Sequence, residues 1–424
     1  MVRFKKWYSS FTVLGTVGLG HMLSTKAVEP EDILAPTIGP IVILPHASLA
    51  ETYHDNVFYR TDENKVDDFV TSISPGVSLQ YGQNLLDSNF IGLDYTLTQN
   101  WYAENSEISS DNHAVTFAIN YQKEGKFKLS GTDSIRLDNT ILSGRERPTL
   151  FEGKRLVERS YFNEQFRFDY VCSSKTSLYS SLSYNAADYD EKPHYYYTDV
   201  FGGRTPYALY DVSRLQGALG FGWQAFPKVK LYGGGFYGRT SVERNLPSME
   251  ARPDSDFGGF FIEADGDFGE KLTGRIRGGY QTREFDGYAD KKTSESHNLP
   301  VFQAELEYQF TPKRKGTLTY SREGRVSVQS PDWAYSVDLI SLNMTQEIGT
   351  LDNLFADGQL TYELDDYDTR DRQDERILAN AGLTYHFNSW SKFQATYNFT
   401  LYDSNQGNID YTVNRVMLSL SVGY

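Results

Sequence analysis

Three stretches of the chain carry closely spaced ionisable side chains. Glu263, Asp265 and Asp267 sit two apart, as do Thr273, Arg275 and Arg277 with Arg283 further on, and then Gln303, Glu305, Glu307 and Gln309. In an extended chain successive side chains point to opposite sides, so residues two apart share a face. A short turn centred on Glu270 sets Asp265 opposite Arg275 and Glu263 opposite Arg277. The next hairpin is then able to set Arg275 by Glu307 and Arg277 by Glu305. Glu263, Asp265, Arg275, Arg277, Glu305 and Glu307 are therefore the candidate site, and its chemistry is electrostatic. It reads either as a transverse charge filter lining a water-filled constriction or as a salt-bridge ladder that stiffens a wall, each pair contributing roughly 0.2–1 kcal/mol.

Covalent chemistry finds little support. There is no G-x-S-x-G, H-E-x-x-H or phosphate-loop motif. His46, His54, His113, His194, His297 and His386 are scattered without metal-ligand spacing, and Cys172 is the one cysteine. No catalytic residue, cofactor or metal is expected, although a hydrolase sited at the rim of a barrel stays open as an alternative. The formal charge of −15 argues against nucleic acid, which needs clustered positive surface.

The elements that must hold these side chains are strands. Aromatics make up 15% of 424 residues, too many for a disordered chain. The mean hydropathy of −0.52 leaves no set of long apolar helices. Segments of about 10 residues alternate apolar and polar side chains instead. The last runs Val416, Leu418, Leu420, Val422, Tyr424 against Arg415, Met417, Ser419, Ser421. Leu215, Gly217, Leu219, Phe221 and Trp223 stand against Arg214, Gln216, Ala218 and Gly220. Short links near Asn84, Glu124, Ser174, Pro227, Glu270, Pro312, Thr350 and Ser389 alternate strictly with longer polar links. A soluble sandwich has no reason to keep its long loops at one end; a transmembrane barrel with tight periplasmic turns and long outer loops does. The expected fold is thus all-β, a closed transmembrane antiparallel β-barrel of about 18 strands. Lipid cannot satisfy a free sheet edge, so the first strand must pair with the last. Tyr81, Tyr95, Trp101, Tyr121, Tyr170, Trp223, Tyr385 and Phe387 suit interfacial girdles. Further lumenal candidates are Lys128, Arg136, Arg167, Arg214, Lys228 and Lys230, with Asp94, Asp357 and Glu363 of opposite sign. Tyr195, Tyr196 and Tyr197, in the longest outer loop, are candidate sugar contacts.

The start reads as an address. Arg3, Lys5 and Lys6 precede an apolar stretch from Phe11 to about Leu23, and Thr25 and Ala27 fit a cleavage site. The expected organisation is a signal peptide over 1–27, an extended proline-rich periplasmic or lumenal lead-in over 28–45, and the barrel over 46–424. Export to the outer membrane follows, with surrounding lipid and the barrel-assembly machinery as partners, the latter through the C-terminal strand ending in Tyr424.

Tyr53-His54-Asp55-Asn56-Val57-Phe58, then Asp68-Phe69, then Ser74-Pro75-Gly76-Val77 and Leu79, resemble the opening of the family known as putative β-barrel porin 2. Asp55 and Asn56 suit a hairpin top, where their side chains bond to backbone groups. Pro75-Gly76 inside a strand implies a bulge or a weakened ladder. The resemblance implies an outer-membrane porin: a passive aqueous channel for exopolysaccharide export or small solutes, with polysaccharide or its export machinery as partner. The rival reading is a non-conducting barrel whose outer loops bind surface polysaccharide or another partner.

Overall fold

A computed structural model describes residues 35–82, 89–123, 125–140, 156–189, 196–198, 204–206, 210–244, 252–286, 296–327, 334–349, 353–367, 371–405 and 410–423. The alternating segments become long strands: β1 (Ile41–His54), β2 (Asp68–Tyr81), β3 (Asn89–Tyr102), β4 (Ser110–Lys123), β5 (Phe127–Thr140) and β6 (Val157–Val171). There follow β7 (Thr176–Tyr189), β8 (Tyr210–Phe226), β9 (Val229–Arg244), β10 (Ser255–Asp267), β11 (Leu272–Phe285) and β12 (Ser296–Thr311). The last six are β13 (Arg314–Val326), β14 (Ala334–Glu347), β15 (Leu354–Tyr367), β16 (Gln373–Asn388), β17 (Ser391–Ser404) and β18 (Tyr411–Val422). Each pairs antiparallel with its sequence neighbours. β1 also pairs with β18, from Ala47 opposite Val422 to His54 opposite Arg415. Eighteen strands thus close on themselves, and a two-residue strand, Thr37–Ile38, is an extra flap on β1.

Most links alternate as expected, but the outer links between β15 and β16 and between β17 and β18 are no longer than the inner links that follow β2 and β14. Pro227–Lys228, Pro312–Lys313 and Ser389–Trp390 are tight turns, each beside a register shift, at Gln224/Phe226, Gln309/Thr311 and His386/Asn388. In the first two, a glutamine side chain returns to the chain: Gln224 Nε2 donates to the Phe226 carbonyl at 2.7 Å and Gln309 Nε2 to the Thr311 carbonyl at 2.5 Å. A bulge lets these short turns follow the sheet's twist without the left-handed residues a two-residue hairpin otherwise demands.

Side-chain parity sorts the wall into two faces. Leu219, Phe260, Ile262, Leu360 and Leu418 are exposed on the outer face, as are all eight residues assigned to the girdles. Apolar side chains that would be misplaced in water are at home in hydrocarbon, and this outer band is what the bilayer must solvate. Most serines, threonines, asparagines and charged residues turn inward, although Glu51 and the facing pair Asp133 and Glu164 share the parity of the outer rows.

Two local differences have plain causes. β1 begins at Ile41, within the segment assigned to the lead-in, and it contains Pro45. Pro45 precedes Ala47, where pairing with β18 starts, so it lies where the strand has β2 alone as a long neighbour, a place a missing N–H is tolerated. At Pro75-Gly76 the ladder weakens without a bulge. Pairing of β2 with β3 stops at Ile73/Gln99 and resumes at Gly76/Thr96 in unchanged register. Gly76 has its own reason, since a Cβ there would run into the His46 imidazole and the Tyr95 carbonyl.

Candidate functional site: the charged lumen wall

The first half of the candidate ladder sits as the spacing demands. Asp265 lies opposite Arg275 and Glu263 opposite Arg277. Arg277 Nη2 is 2.5 Å and its Nε 2.7 Å from Glu263 Oε2; Arg275 Nη2 is 2.7 Å from Asp265 Oδ2 and its Nε 3.3 Å from Glu263 Oε1. The second half differs by two residues. β12 sets Glu305, not Glu307, opposite Arg275, and Gln303 opposite Arg277, while Glu307 faces Thr273. Nothing in the local alternation could set that register, because a shift of two preserves every face.

The acids and bases are layered. The Glu263 side chain is 0% exposed and Asp265 12%, whereas Arg275 and Arg277 are each 26% exposed. Carboxylates therefore lie against the wall and guanidiniums over them, with Glu305 exposed on the neighbouring strand.

Beneath the arginines lies a floor that only glycine permits. Tyr179, Tyr232 and Phe261 form one buried cluster on the inner face. Their rings lie flat over adjacent strands: a Cβ at Gly220 would meet Tyr179, one at Gly222 would meet Tyr232, and one at Gly234 would meet Phe261. Guanidiniums stack on the rings, Arg167 4.2 Å from the Tyr179 centroid and Arg277 4.4 Å from that of Phe261. Arg167 is also held by Asp169, at 2.8 and 2.9 Å. Each cation–π contact contributes about 0.5–2 kcal/mol, more as it is desolvated. Arg167 was legible as lumenal, but its role depends on three strands brought together by the barrel.

A second charged group lies nearer the outer mouth. Arg214 on β8 and Arg283 on β11 both stack on Phe257 of β10, at 4.6 and 4.5 Å. Arg214 Nη1 lies 3.5 Å from Glu323 Oε2, and Arg325 Nη2 lies 2.6 Å from Glu323 Oε1. β8 and β13 are five strands apart, about 24 Å along the wall at ordinary strand spacing. The Arg214–Glu323 contact therefore crosses the lumen and narrows it. Sequence reading placed Arg214 on the inner face; Glu323 was not among the lumenal candidates.

The first outer loop is clasped to the closing strand. Asn56 is fully buried; its Nδ2 donates to the Arg60 carbonyl at 2.6 Å and the Thr412 carbonyl at 3.0 Å, and its Oδ1 accepts from Arg60 N–H at 2.9 Å. Asp55 accepts from the Asn414 backbone and side-chain N–H groups at 2.6 and 2.7 Å. Tyr59, at φ 50°, lies against Tyr411 and accepts from Arg415 at 3.3 Å, both on the inner face. The loop is thus drawn over the seam rather than away from it.

Other expectations resolve as follows. Lys128, Arg136, Lys230, Asp94, Asp357 and Glu363 lie at inward positions of their strands, whereas Lys228 sits in a turn, 67% exposed. Tyr196 and Tyr197 belong to a small ladder, Tyr196–Thr198 with Arg204–Pro206; Tyr195 and Tyr424 lie outside the described residues, as do residues 1–34. A serine, a histidine and an aspartate meet on β1, β2 and β3. His46 Nε2 is 2.9 Å from Asp94 Oδ2, and the Ser78 hydroxyl donates to the same carboxylate oxygen. The hydroxyl is given to the aspartate rather than to the imidazole, so the three do not form a serine–histidine–aspartate relay. No group of side chains with metal-binding geometry occurs among the described residues.

A family model described as putative beta-barrel porin 2 matches residues 210–424, just over half of the chain. The chain belongs to this family. The match falls on β8 to β18, not on the Tyr53–Leu79 motifs that carried the resemblance. The barrel is accordingly an outer-membrane barrel of porin type. Among solved structures, OpdK from Pseudomonas aeruginosa aligns at 10% identity over 92% of this chain and 100% of that one, TM-score 0.44. The ferric-catecholate import receptor Fiu from E. coli aligns at 10% identity over 89% and 81%, TM-score 0.47. OccAB3 from Acinetobacter baumannii gives 13% identity over 90% and 99%, TM-score 0.41. No curated protein matches the chain.

Proposed function

We propose that this barrel is a passive aqueous channel through the outer membrane, carrying exopolysaccharide or small polar solutes down their gradients. The supporting observation is a closed eighteen-strand wall with a greasy outside and a charged, hydroxyl-rich inside, a circumference wide enough for water to fill. The inner surface offers alternating donors and acceptors rather than one sign of charge, which suits hydroxylated permeants. The Glu263, Asp265, Arg275, Arg277, Glu305 and Glu307 group acts in this reading chiefly as a brace, with Glu263 and Asp265 tucked under the two arginines. Cleavage after Ala27 precedes membrane insertion, and the strand ending in Tyr424 is what the barrel-assembly machinery engages.

A second reading, a barrel that binds polysaccharide at its outer loops and does not conduct, draws on the inward-drawn loop at Tyr59 and the Arg214–Glu323 crossing. Planar-bilayer recording on refolded protein separates the two. The channel reading expects discrete, ohmic current steps; folded protein that gives no steps at any voltage decides for the second.

A further inference from the structure

Two carboxyl groups face the hydrocarbon band. Asp133 on β5 lies directly opposite Glu164 on β6, both with the parity of the outer rows. Leu129, Ile135 and Leu137 share the outer face of β5 with Asp133, and Phe162, Phe166 and Phe168 share that of β6 with Glu164. Phe117 stands opposite Asp133 on β4 and Tyr184 opposite Glu164 on β7, so the pair is ringed by apolar and aromatic side chains at mid-strand. Asp133 Oδ1 is buried without a hydrogen-bond partner, and no ion pair or hydrogen bond joins either side chain to another described residue. Like charges directly opposite each other destabilise a sheet, and so does a charge on the lipid face of a barrel. An ionisable group at this depth calls for a partner.

Beside the pair the outer wall is hollow. Leu129, Phe166, Phe168, Leu182, Gly217 and Gly235 are among the residues lining a depression of about 810 Å³ across β5 to β10. Gly217 stands at its floor, where a Cβ would meet only the Ser181 carbonyl, at 4.0 Å. The inner-face glycines Gly220 and Gly234 are covered by Tyr179 and Phe261, whereas the space over Gly217 is open. Leu219 and Tyr237 rise beside it, 70% and 64% exposed. The Phe166 ring lies over Gly131, next to Asp133, and so joins the hollow to the acids. Charge and depth narrow the choice of occupant. A lipid keeps its cationic groups at the headgroups rather than at mid-strand. A second copy brings no matching cation, because the outward arginines Arg239 and Arg322 lie toward the outer ends of their strands and are held by Asp256 and Asp338.

We propose that this hollow is the docking surface for an apolar, membrane-embedded segment of a partner protein that sets one arginine or lysine side chain between Asp133 and Glu164. The segment packs against Leu182, Leu219 and Tyr237 and fills the space over Gly217. Its cation donates to both carboxylates and removes their mutual repulsion, and charge-assisted hydrogen bonds of this kind are strongest where water is excluded. The interaction lies on the outside of the barrel and does not depend on conduction through the lumen.

The test uses the folded full-length barrel in phosphatidylcholine vesicles, its fold verified by heat-modifiable gel migration. A fluorophore is placed on Cys172, the one cysteine, which is exposed in the turn between β6 and β7. The probes are two synthetic apolar transmembrane helices that carry a quencher and differ only at the central residue, arginine in one and leucine in the other. The arginine helix is expected to quench at a membrane density about tenfold or more below that needed for the leucine helix. Asp133→Asn with Glu164→Gln removes that preference and, by taking charge off the lipid face, leaves the barrel at least as heat-stable. Gly217→Leu fills the floor and weakens quenching by the arginine helix. Equal quenching by the two helices, a preference that survives the double substitution, or indifference to Gly217→Leu overturns the docking surface. Energy transfer between donor- and acceptor-labelled barrels that Gly217→Leu abolishes gives the hollow to a second copy and overturns it as well.

Discussion

Asn56 is buried without charge and bonds to three backbone groups, two of them in its own loop and one on the last strand. Removing its amide strands buried donors and acceptors, so Asn56→Ala is expected to cost about 2–3 kcal/mol. The temperature at which the folded gel band converts to the unfolded one should fall accordingly. Asp62 belongs to the same clasp. Hydrogen bonds from Thr412, at 2.7 and 3.1 Å, and from Lys65 hold its carboxyl below the ordinary value of 3.8, against the opposing effect of burial. A depressed folded value means the unfolded chain binds the proton more readily, so the contribution is present above 3.8 and lost as pH falls through the folded value. Acidification from about pH 6 to about pH 3 should therefore lower that conversion temperature more in the wild type than in Asp62→Asn. Sequence alone flagged Asp55 and Asn56 as turn residues. That their partners lie some 350 positions away on the closing strand was not legible, because only closure brings Thr412 and Asn414 alongside.

The strand faces and the alternation of short and long links could be read from the chain because a period of two is a local property. Register was legible only where a tight turn set it. The Glu263–Arg277 pairing followed from the turn after Asp267, while the pairing of Arg275 with Glu305 spans a longer link and came out two residues from expectation. The glycines divide in the same way. Gly220 and Gly233 look alike in sequence, yet a Cβ at Gly220 enters the Tyr179 ring and one at Gly233 meets nothing within 4 Å. Gly220→Ala should destabilise by about 1–3 kcal/mol, and Gly233→Ala should be neutral or stabilising by about 0.5 kcal/mol. Urea unfolding in lipid vesicles checks both. Arg275→Ala with Arg277→Ala leaves Glu263 buried and unpaired, and should cost about 3–5 kcal/mol. If the ladder is a brace, the reversal potential under a salt gradient should stay unchanged. A shift toward cations would make that ladder the charge filter instead.

At the scale of the whole molecule, two demands fix the architecture: hydrocarbon will not accept an unpaired backbone, and water will not accept the rows of Leu, Phe and Tyr on these strands. A sheet that closes from β1 to β18 meets both, and it turns the wet rows inward onto a charged, hydroxyl-rich path. The strand count was legible because each hairpin occupies a similar length of chain. The lumen-crossing Arg214–Glu323 contact was not, because it depends on the cross-section of the assembled barrel. The central claim is the opposite solvation of the two faces, and nitroxide labels placed singly along β18 in lipid vesicles test it most directly. Labels at Val416, Leu418 and Leu420 should relax with dissolved oxygen, and labels at Met417, Ser419 and Ser421 with a water-soluble nickel chelate. Equal accessibility at successive positions, or the reverse alternation, would contradict it.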